Sequence, residues 1–301
     1  MLTIGSRGSQ LALWQARWIK GRLEEMGESC RIEIIKTTGD KITDVPLAKV
    51  GAKGLFTKEI EEALVGGDID LAVHSMKDLP TELPEGLAIT AVPEREDPRD
   101  ALIGRRLHDL AEGSKVGTSS LRRAAQLRAL RPDLRVEPVR GNLDTRLRKL
   151  EEGRYSAIVL AAAGLKRMGW DDRIAEILST NYMCPAVGQG ALAIETRADD
   201  GPSAEVCRKL DHPATRIAVS AERALLAALG GGCQVPIGAY ATLNGVELHL
   251  TAVVCTPDGD RLIRRNTSGP VDTAEALGRE LADTLLEAGA DEILEDVYGD
   301  S

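Results

Sequence analysis

One cysteine stands in a stretch that suits covalent chemistry. Cys233 follows three consecutive glycines that begin at Gly230. Consecutive glycines cost backbone entropy and bury no side chain, so they favour neither a helix nor a strand. The residues before them, 213–229, have the apolar spacing of a helix, which is predicted to stop at Gly230. Cys233 is therefore expected on an accessible loop just beyond that helix.

The position of Cys233 favours a covalent attachment made once and kept over a nucleophile that cycles. The carboxyl end of a helix carries partial negative charge, which opposes formation of a thiolate. No histidine lies near Cys233 in the sequence to accept its proton. A loop thiol without a role is the alternative. The flanking glycines nevertheless indicate that another group approaches the backbone closely.

A local cluster of arginines contrasts with the net charge of −9. Its eight members are Arg122, Arg123, Arg128, Arg131, Arg135, Arg140, Arg146 and Arg148. Arg122, Arg123, Arg140 and Arg146 lie at or just after predicted strand–helix junctions, where parallel-sheet proteins bind ligands. Residues such as Arg128 are expected on a solvated face. Because the guanidinium fork matches carboxylates and phosphates, we predict a cleft for a molecule with many negative charges.

A single carboxylate stands out in the other half of this predicted cleft. Asp78 follows Lys77 after a predicted strand. Among cationic groups, Asp78 would be able to balance positive charge that arises during a reaction. The alternative is a plain turn residue before Pro80.

Two parts of the chain repeat one pattern: a strand, a turn rich in glycine and hydroxyl side chains, and a helix. The turns are residues 5–9 and 117–120. Exposed amides at such a helix start bind anions, and Arg7 adds a full positive charge. An ordinary, well-capped turn is the alternative. We expect an anion-binding turn in each part.

These repeats predict an α/β chain of three domains, with a ligand between the first two. The predicted bounds are 1–93 plus about 190–210 for the first domain, 98–187 for the second, and 213–301 for a third, small α+β domain. Residues 94–100 are charged and proline-bearing, and we interpret them as a linker. Residues 39–56, with Lys49 and Lys53, are predicted to be a mobile lid, with a solvated loop as the alternative.

Composition narrows the choice of partners. Aromatic residues make up only 3%, and the net charge is negative, which argues against a nucleic-acid partner. We see no secretory signal and no apolar stretch long enough for a membrane span. The five cysteines are widely spaced and the four histidines scattered, so no metal site or disulfide framework is predicted. We expect a cytoplasmic monomer that acts on a small molecule.

Taken together, the motifs resemble the porphobilinogen deaminase (hydroxymethylbilane synthase) family. The matching stretches run in order over nearly the whole chain, and several are too long for coincidence. They are residues 5–15 (GSRGSQLALWQ), 53–56 (KGLF), 73–80 (VHSMKDLP), 117–123 (GTSSLRR), 140–142 with Arg146, 163–167 (AGLKR), 188–191 (GQGA) and 231–238 (GGCQVPIG).

The resemblance implies an activity, a cofactor and a set of site residues. The first two domains would be similar to type II periplasmic binding proteins, with a cleft between them. A dipyrromethane cofactor would be joined through a thioether to Cys233, and Asp78 would be the catalytic carboxylate. Four porphobilinogen units would be added with loss of ammonia, and hydroxymethylbilane released by hydrolysis. The implied binding residues are Arg7, Ser9, Gln15, Lys49, Lys53, Ser75, Lys77, Thr118, Ser120, Arg122, Arg123, Arg140, Arg146, Arg167 and Gln189.

Two other classes of protein compete with this interpretation. A solute-binding protein for an anionic ligand fits the two-domain pattern, but the absence of a signal peptide and the glycine-flanked Cys233 oppose it. A nucleic-acid binder would use the arginine cluster, but the net charge and scarce aromatics oppose that. The mass of the intact protein separates the enzyme from the first rival, because only the enzyme would carry a dipyrrole.

Overall fold

The computed structural model describes residues 1–41, 56–199, 201–231 and 236–299. Backbone contacts divide the chain into two compact units. Unit 1 comprises Met1–Glu96 and Ala191–Arg216, and unit 2 comprises Asp97–Gly190 and Ile217–Ser301. Most of the predicted lid, including Lys49 and Lys53, and the loop at Cys233 lie outside the described residues.

The described chain alternates between strands and helices. The strands are β1 (Leu2–Ser6), β2 (Cys30–Ile34), β3 (Leu71–Ser75), β4 (Leu87–Ala91), β5 (Asp100–Ile103), β6 (Lys115–Gly117), β7 (Arg135–Glu137), β8 (Ala157–Ala161), β9 (Ile174–Ile177), β10 (Leu192–Arg197), β11 (Ile237–Asn244), β12 (Glu247–Cys255) and β13 (Leu262–Pro270). The helices are α1 (Gln10–Glu25), α2 (Thr38–Lys41), α3 (Lys58–Gly66), α4 (Leu121–Leu130), α5 (Leu143–Glu151), α6 (Ala162–Arg167), α7 (Pro202–Arg208), α8 (Pro213–Ala228), α9 (Ala274–Leu285) and α10 (Asp291–Gly299). Within the described residues, no helix has the length and apolar character needed to cross a membrane.

Unit 1 is built on a five-stranded sheet in the order β2-β1-β3-β10-β4. Strand β1 pairs in parallel with β2 and β3, whereas β10 runs antiparallel to β3 and β4. Helix α1 buries Ala16, Ile19 and Leu23 in one core with Ile4 and Val73. This spacing of three and four residues gives α1 one apolar face.

Unit 2 contains a second five-stranded sheet, in the order β7-β6-β8-β5-β9. Strand β6 pairs in parallel with β7 and β8, and β5 runs antiparallel to β8 and β9. Parallel and antiparallel strands therefore occupy the same positions in both sheets. The antiparallel strand in fourth place is β10 in the first sheet and β5 in the second. Each is the first strand after the chain has passed from one unit to the other.

The C-terminal part of unit 2 is an antiparallel meander, β11-β12-β13. Its core combines alternate sheet residues such as Leu248 and Leu250 with Leu225 of α8 and Leu281 of α9. Gly230 has a φ of +63° and ends the turn after α8, as the glycine run predicts. The mixed α/β class with a small α+β third part is confirmed.

Three details differ from the sequence interpretation. The alternating pattern of residues 31–38 predicts a strand up to Thr38, but β2 ends at Ile34 and α2 begins at Thr38. The sequence pattern shows neither β5 nor β9, which are four residues long each. The linker interpretation is wrong for Asp100, which begins β5 and is wholly buried. A buried acid is rare without a partner, and charge alone does not reveal the partner.

Candidate active site

The first predicted anion-binding turn joins β1 to α1. Ser9 is the N-cap of α1, and its Oγ accepts a hydrogen bond from the Ala12 amide at 3.3 Å. An accepting hydroxyl keeps its own proton for a second partner. The Arg7 guanidinium lies 4.1 Å from the centre of the Phe56 ring, and this cation–π contact orients it. The turn therefore presents a hydroxyl and a fixed cation.

Asp78 lies just beyond the carboxyl end of β3, on the 3-10 turn Met76–Asp78. Its side chain is exposed, whereas Met76 and Leu79 on either side are buried. The Met76 amide donates to the Ala191 carbonyl at 3.0 Å, which continues the ladder between β3 and β10. Asp78 is thus a solvent-exposed carboxylate on a turn whose neighbouring side chains are packed in the core.

One pocket of unit 1 brings together five predicted site residues. They are Arg7, Ser9, Gln15, Ser75 and Asp78. Gln15 is almost fully buried, and its Nε2 donates to Ser75 Oγ at 3.0 Å. Lys77 is half-buried and does not line this pocket. The pocket combines one carboxylate with a cation and several hydroxyl or amide groups.

A buried acid–histidine cluster lies beside this pocket, and the sequence interpretation did not identify it. His74 lines the pocket and its Nε2 is 3.0 Å from Glu195 Oε2. Oε1 of Glu195 and Oε1 of Glu61 are buried without a hydrogen-bond partner among the described residues. Burial, with a contribution from nearby Glu195, raises the pKa of Glu61. Two buried glutamates therefore lie behind His74, which itself lines the pocket.

The second anion-binding turn joins β6 to α4 in unit 2. Ser120 is the N-cap of α4, and its Oγ accepts from the Arg123 amide at 3.4 Å. Thr118 is buried, and its Oγ1 accepts from the Ser120 amide at 3.2 Å. Ser120 therefore occupies the same capping position in this turn as Ser9 does in the first.

Arg122 and Arg123 are buried at the start of α4 and share one carboxylate. Asp100 Oδ2 accepts from Arg122 Nη1 at 2.8 Å, and Oδ1 accepts from Arg123 Nε at 2.9 Å. Burial alone would raise the pKa of Asp100, but the two arginines outweigh it and lower that pKa to about 2. One negative charge thus faces two positive charges, and the pair retains a net positive charge for a ligand.

Arg146 adds a further cation to the same half of the site. Its Nε donates to the Gly141 carbonyl at 2.7 Å. Burial, helped by the like charge of Arg123, lowers the pKa of Arg146 to about 10. Gly141 has a φ of +107°, and a Cβ there would lie 2.5 Å from Thr145. Glycine is therefore required at position 141, in the turn between Arg140 and the helix that contains Arg146.

Arg167 and Gln189 are also buried in unit 2. Arg167 Nη2 donates to the Gly190 carbonyl at 2.7 Å. Gln189 is wholly buried, and its Nε2 donates to Asp100 Oδ1 at 2.9 Å. Gln189 Oε1 also accepts from Arg123 Nη2 at 3.3 Å. Gln189 therefore extends the arginine–carboxylate network.

The described cysteines are poor candidates for covalent attachment. Cys30, Cys184, Cys207 and Cys255 are all buried and unpaired. Burial raises the pKa of each thiol, and for Cys184, Cys207 and Cys255 to about 12. A buried thiol of this kind rarely ionises at neutral pH. Cys233 lies outside the described residues, as do Lys49 and Lys53.

The structure adds Asp100 and Phe56 to the site residues predicted from the sequence. Asp100 stands in a charged, proline-bearing stretch, and its one strand signal is the apolar run that follows it. Phe56 belongs to the family motif at residues 53–56. Its contact with Arg7 could not be predicted from local patterns, because the two residues are far apart in the sequence.

Comparison with known proteins assigns the family. The description "Porphobilinogen deaminase, dipyromethane cofactor binding domain" matches residues 2–205, and "Porphobilinogen deaminase, C-terminal domain" matches residues 216–287. Porphobilinogen deaminases of Pelobacter propionicus and Geobacter sulfurreducens are both 54% identical over 301 residues. The alignments cover 99% of this chain, and 97% and 95% of those proteins respectively.

A solved structure overlaps more loosely. The periplasmic substrate-binding protein of an ABC transporter from Coxiella burnetii is 12% identical, with a TM-score of 0.43, over 72% of this chain and 94% of its own. The family assignment rests on the matched domains and the full-length relatives. The chain belongs to the porphobilinogen deaminase family.

Proposed function

We propose that this chain is a hydroxymethylbilane-synthesising transferase of tetrapyrrole biosynthesis. It joins four porphobilinogen molecules with loss of ammonia and releases the linear product by hydrolysis. The observation that carries the proposal is the cationic site of unit 2, where Arg122 and Arg123 share one carboxylate, Asp100, and Arg146 adds a further positive charge. Porphobilinogen carries two carboxylate arms, so each added unit supplies the anions that this site lacks.

The same site fits the cofactor that the matched domain is described as binding. The lowered pKa of Arg146 indicates a partly buried cation that, among the described residues, lacks a nearby negative charge, which carboxylate arms would supply. When bound, a dipyrromethane supplies a free pyrrole carbon to which substrate units are joined. Cys233 is proposed to hold it, because the four described cysteines are buried and their thiol pKa values are raised.

The binding residues hold carboxylates in two ways. Arg140, Arg146 and Arg167 are proposed to bind them with charge-assisted hydrogen bonds, together with Lys49, Lys53 and Lys77. Ser9 and Ser120 cap helices and keep a hydroxyl proton, which can donate to a carboxylate placed at the helix start. Gln15 and Ser75 are hydrogen-bonded to each other and line the pocket that contains Asp78.

Asp78 is proposed to act on the positive charge of the substrate. Loss of ammonia from porphobilinogen leaves a cationic, electrophilic carbon, and the pyrrole ring that attacks this carbon becomes cationic until it releases a proton. A fixed carboxylate stabilises both charges and can accept or relay that proton. The position of Asp78 suits this role. Its side chain is exposed to a ligand, while the backbone of its turn is held by the buried Met76.

Intact-mass measurement tests the proposed function. The isolated protein should exceed the mass of its sequence by one dipyrrole, and substoichiometric porphobilinogen should add a ladder of further pyrrole units. A protein that matches its sequence mass, and stays there with substrate, would contradict the proposal.

We also infer that the protein works as a cytoplasmic monomer without a nucleic-acid partner. The net charge of −9 and the low aromatic content support the absence of a nucleic-acid partner. Light scattering at assay concentration, with and without duplex DNA, checks both points: a dimer mass or a DNA-dependent increase would contradict them.

A further inference from the structure

Asp100 touches more of the arginine site than any residue predicted from the sequence. Its side chain is wholly buried and both oxygens are bonded. Oδ2 contacts Arg122, while Oδ1 contacts Arg123 and also accepts from Gln189 Nε2 at 2.9 Å. A buried carboxylate of this kind fixes the planes of both guanidinium groups, because each bond has a preferred direction.

The contacts of Arg122 and Arg123 point to what remains for a ligand. Each guanidinium carries five N–H donors. Arg122 uses Nη1 for Asp100 and for the Cys184 carbonyl, at 2.8 and 2.6 Å. Arg123 uses Nε for Asp100 and Nη1 for the Val159 carbonyl, at 2.9 and 3.2 Å. Among the described residues, Nε and Nη2 of Arg122 have no hydrogen-bond acceptor, so they are the donors that Asp100 leaves for a carboxylate.

The arginine pair also lies at the seam between the second sheet and the C-terminal sheet. Arg122 contacts the Cys184 carbonyl, and that carbonyl packs closely on Gly238 of β11: a Cβ at position 238 would lie only 2.9 Å from the carbonyl oxygen. The Ala239 amide of the same strand donates to the Pro185 carbonyl at 3.0 Å. Strand β11 begins at Ile237, four residues after Cys233. Arg122 therefore contacts the backbone segment that packs against the start of β11.

We propose that Asp100 is the positioning residue of the cofactor site: it fixes the planes of the Arg122 and Arg123 guanidinium groups beside the backbone that packs against the start of β11. The inference rests on the proposed function. A group tethered by a covalent bond at one end gains most when its second anchor is fixed, because a misplacement of about 1 Å can cost on the order of 10²-fold in rate. Asp100 supplies that fixed anchor without touching the ligand.

The test measures how fast cofactor-free protein acquires the cofactor. Full-length protein is made in a host that cannot form porphobilinogen, then given porphobilinogen, and its intact mass is followed with time. Asp100→Glu keeps the charge and moves the carboxylate by about 1.5 Å, one carbon–carbon bond. We expect a folded protein whose loading, per folded molecule, is at least about tenfold slower than the parent's.

Asp211→Glu is the matched control. Asp211 of unit 1 also binds an arginine and a backbone amide, at 2.7 Å to Arg216 Nε and 2.7 Å to the Val92 amide. It should load like the parent even where its melting temperature falls. Asp100→Asn, which keeps the size and loses the charge, is the second variant and should load at least as slowly as Asp100→Glu per folded molecule.

Each outcome decides the inference. Slow loading of both Asp100 variants with normal loading of Asp211→Glu supports it. Parent-like loading of Asp100→Glu, or equal slowing of the Asp211 control, overturns it while leaving the proposed function intact. A parent protein that gains no mass at all contradicts the proposed function, and the inference falls with it.

Discussion

The two five-stranded sheets share one topology but present opposite charges: an exposed carboxylate, Asp78, in unit 1 and a buried arginine pair, Arg122 and Arg123, in unit 2. In unit 1 the antiparallel strand β10 begins with Leu192, which pairs with Ser75 at the end of β3. In unit 2 the corresponding strand β5 begins with Asp100, which pairs with Ala161 at the end of β8. A leucine in one sheet thus stands where the other has a buried acid, and that acid makes a buried arginine pair possible.

The buried acid of unit 1 lies deeper in its sheet. Glu195 pairs with Ala72, three residues further along β10, and its side chain contacts His74. The exposed carboxylate of that unit, Asp78, is left at the strand end itself. One fold thus offers a free carboxylate at one site and free guanidinium donors at the other. From this difference we propose that unit 2 supplies the buried arginines that anchor the cofactor, whereas unit 1 supplies the carboxylate that stabilises positive charge.

The largest effect should come from the attachment cysteine, which neither sheet contains. Cys233→Ser should abolish the covalent dipyrrole, because a hydroxyl is a far weaker nucleophile than a thiolate. Intact mass and the loss of turnover report the result. Cys30→Ser, a buried thiol of unit 1, is the control and should keep the cofactor. A Cys233→Ser protein with the dipyrrole mass would show that the attachment site is wrong.

Removing the negative charge of Asp78 should lower turnover without preventing folding. Asp78→Asn keeps the shape of the side chain, and turnover should fall by at least about 10²-fold, the scale for loss of one preorganised electrostatic group. Asp78→Glu should retain part of the activity, because the charge survives. If Asp78 merely stabilises the turn before Pro80, the melting temperature of Asp78→Asn falls while turnover per folded molecule stays normal.

Removing a guanidinium of unit 2 should affect both binding and stability. We would expect from the sequence that Arg123 matters for binding alone, but the structure shows it buried against Asp100. Arg123→Leu should weaken chain binding by roughly 1.5–3 kcal/mol and lower the melting temperature, since Asp100 loses a partner. Arg123→Lys should restore only part of the binding. Unchanged loading, measured by intact mass, would contradict the assignment.

Arg146 should show the smallest and most diagnostic effect. Burial and the like charge of Arg123 lower its pKa to about 10, so the folded protein disfavours the charged form when no ligand is bound. Arg146→Leu should therefore raise the melting temperature of the cofactor-free protein by a few degrees while weakening chain binding. A lower melting temperature, measured by calorimetry without cofactor, would contradict the idea of an uncompensated cation.

Local patterns predicted the elements and the exposed chemistry well. The turns capped by Ser9 and Ser120, the strand ending near Ser75 and the helix stop at Gly230 follow from residue types in short windows. The apolar run after Gly190 indicates a strand, but it does not say that this strand, β10, joins the first sheet. Sequence spacing is enough wherever the partners of a residue are its neighbours.

Long-range partners account for what the sequence did not reveal. Asp100 contacts Arg122 and Arg123 across more than twenty residues, and His74 contacts Glu195 across 121. A charged residue in a proline-bearing stretch is ordinarily solvated, so only the fold shows that Asp100 is buried and paired. Phe56 under Arg7 is missed for the same reason.

The proposed division of labour between the two units is tested most directly by the intact mass of Asp78→Asn after a stoichiometric pulse of porphobilinogen. Cofactor attachment happens once and has hours during expression, so even chemistry slowed 10²-fold should leave this variant loaded. We predict the dipyrrole mass before the pulse and almost no added pyrrole units within the time in which the parent forms its full ladder. A normal ladder would contradict the role of Asp78, and a variant without the dipyrrole would contradict the proposal that cofactor anchoring depends on unit 2 and not on Asp78.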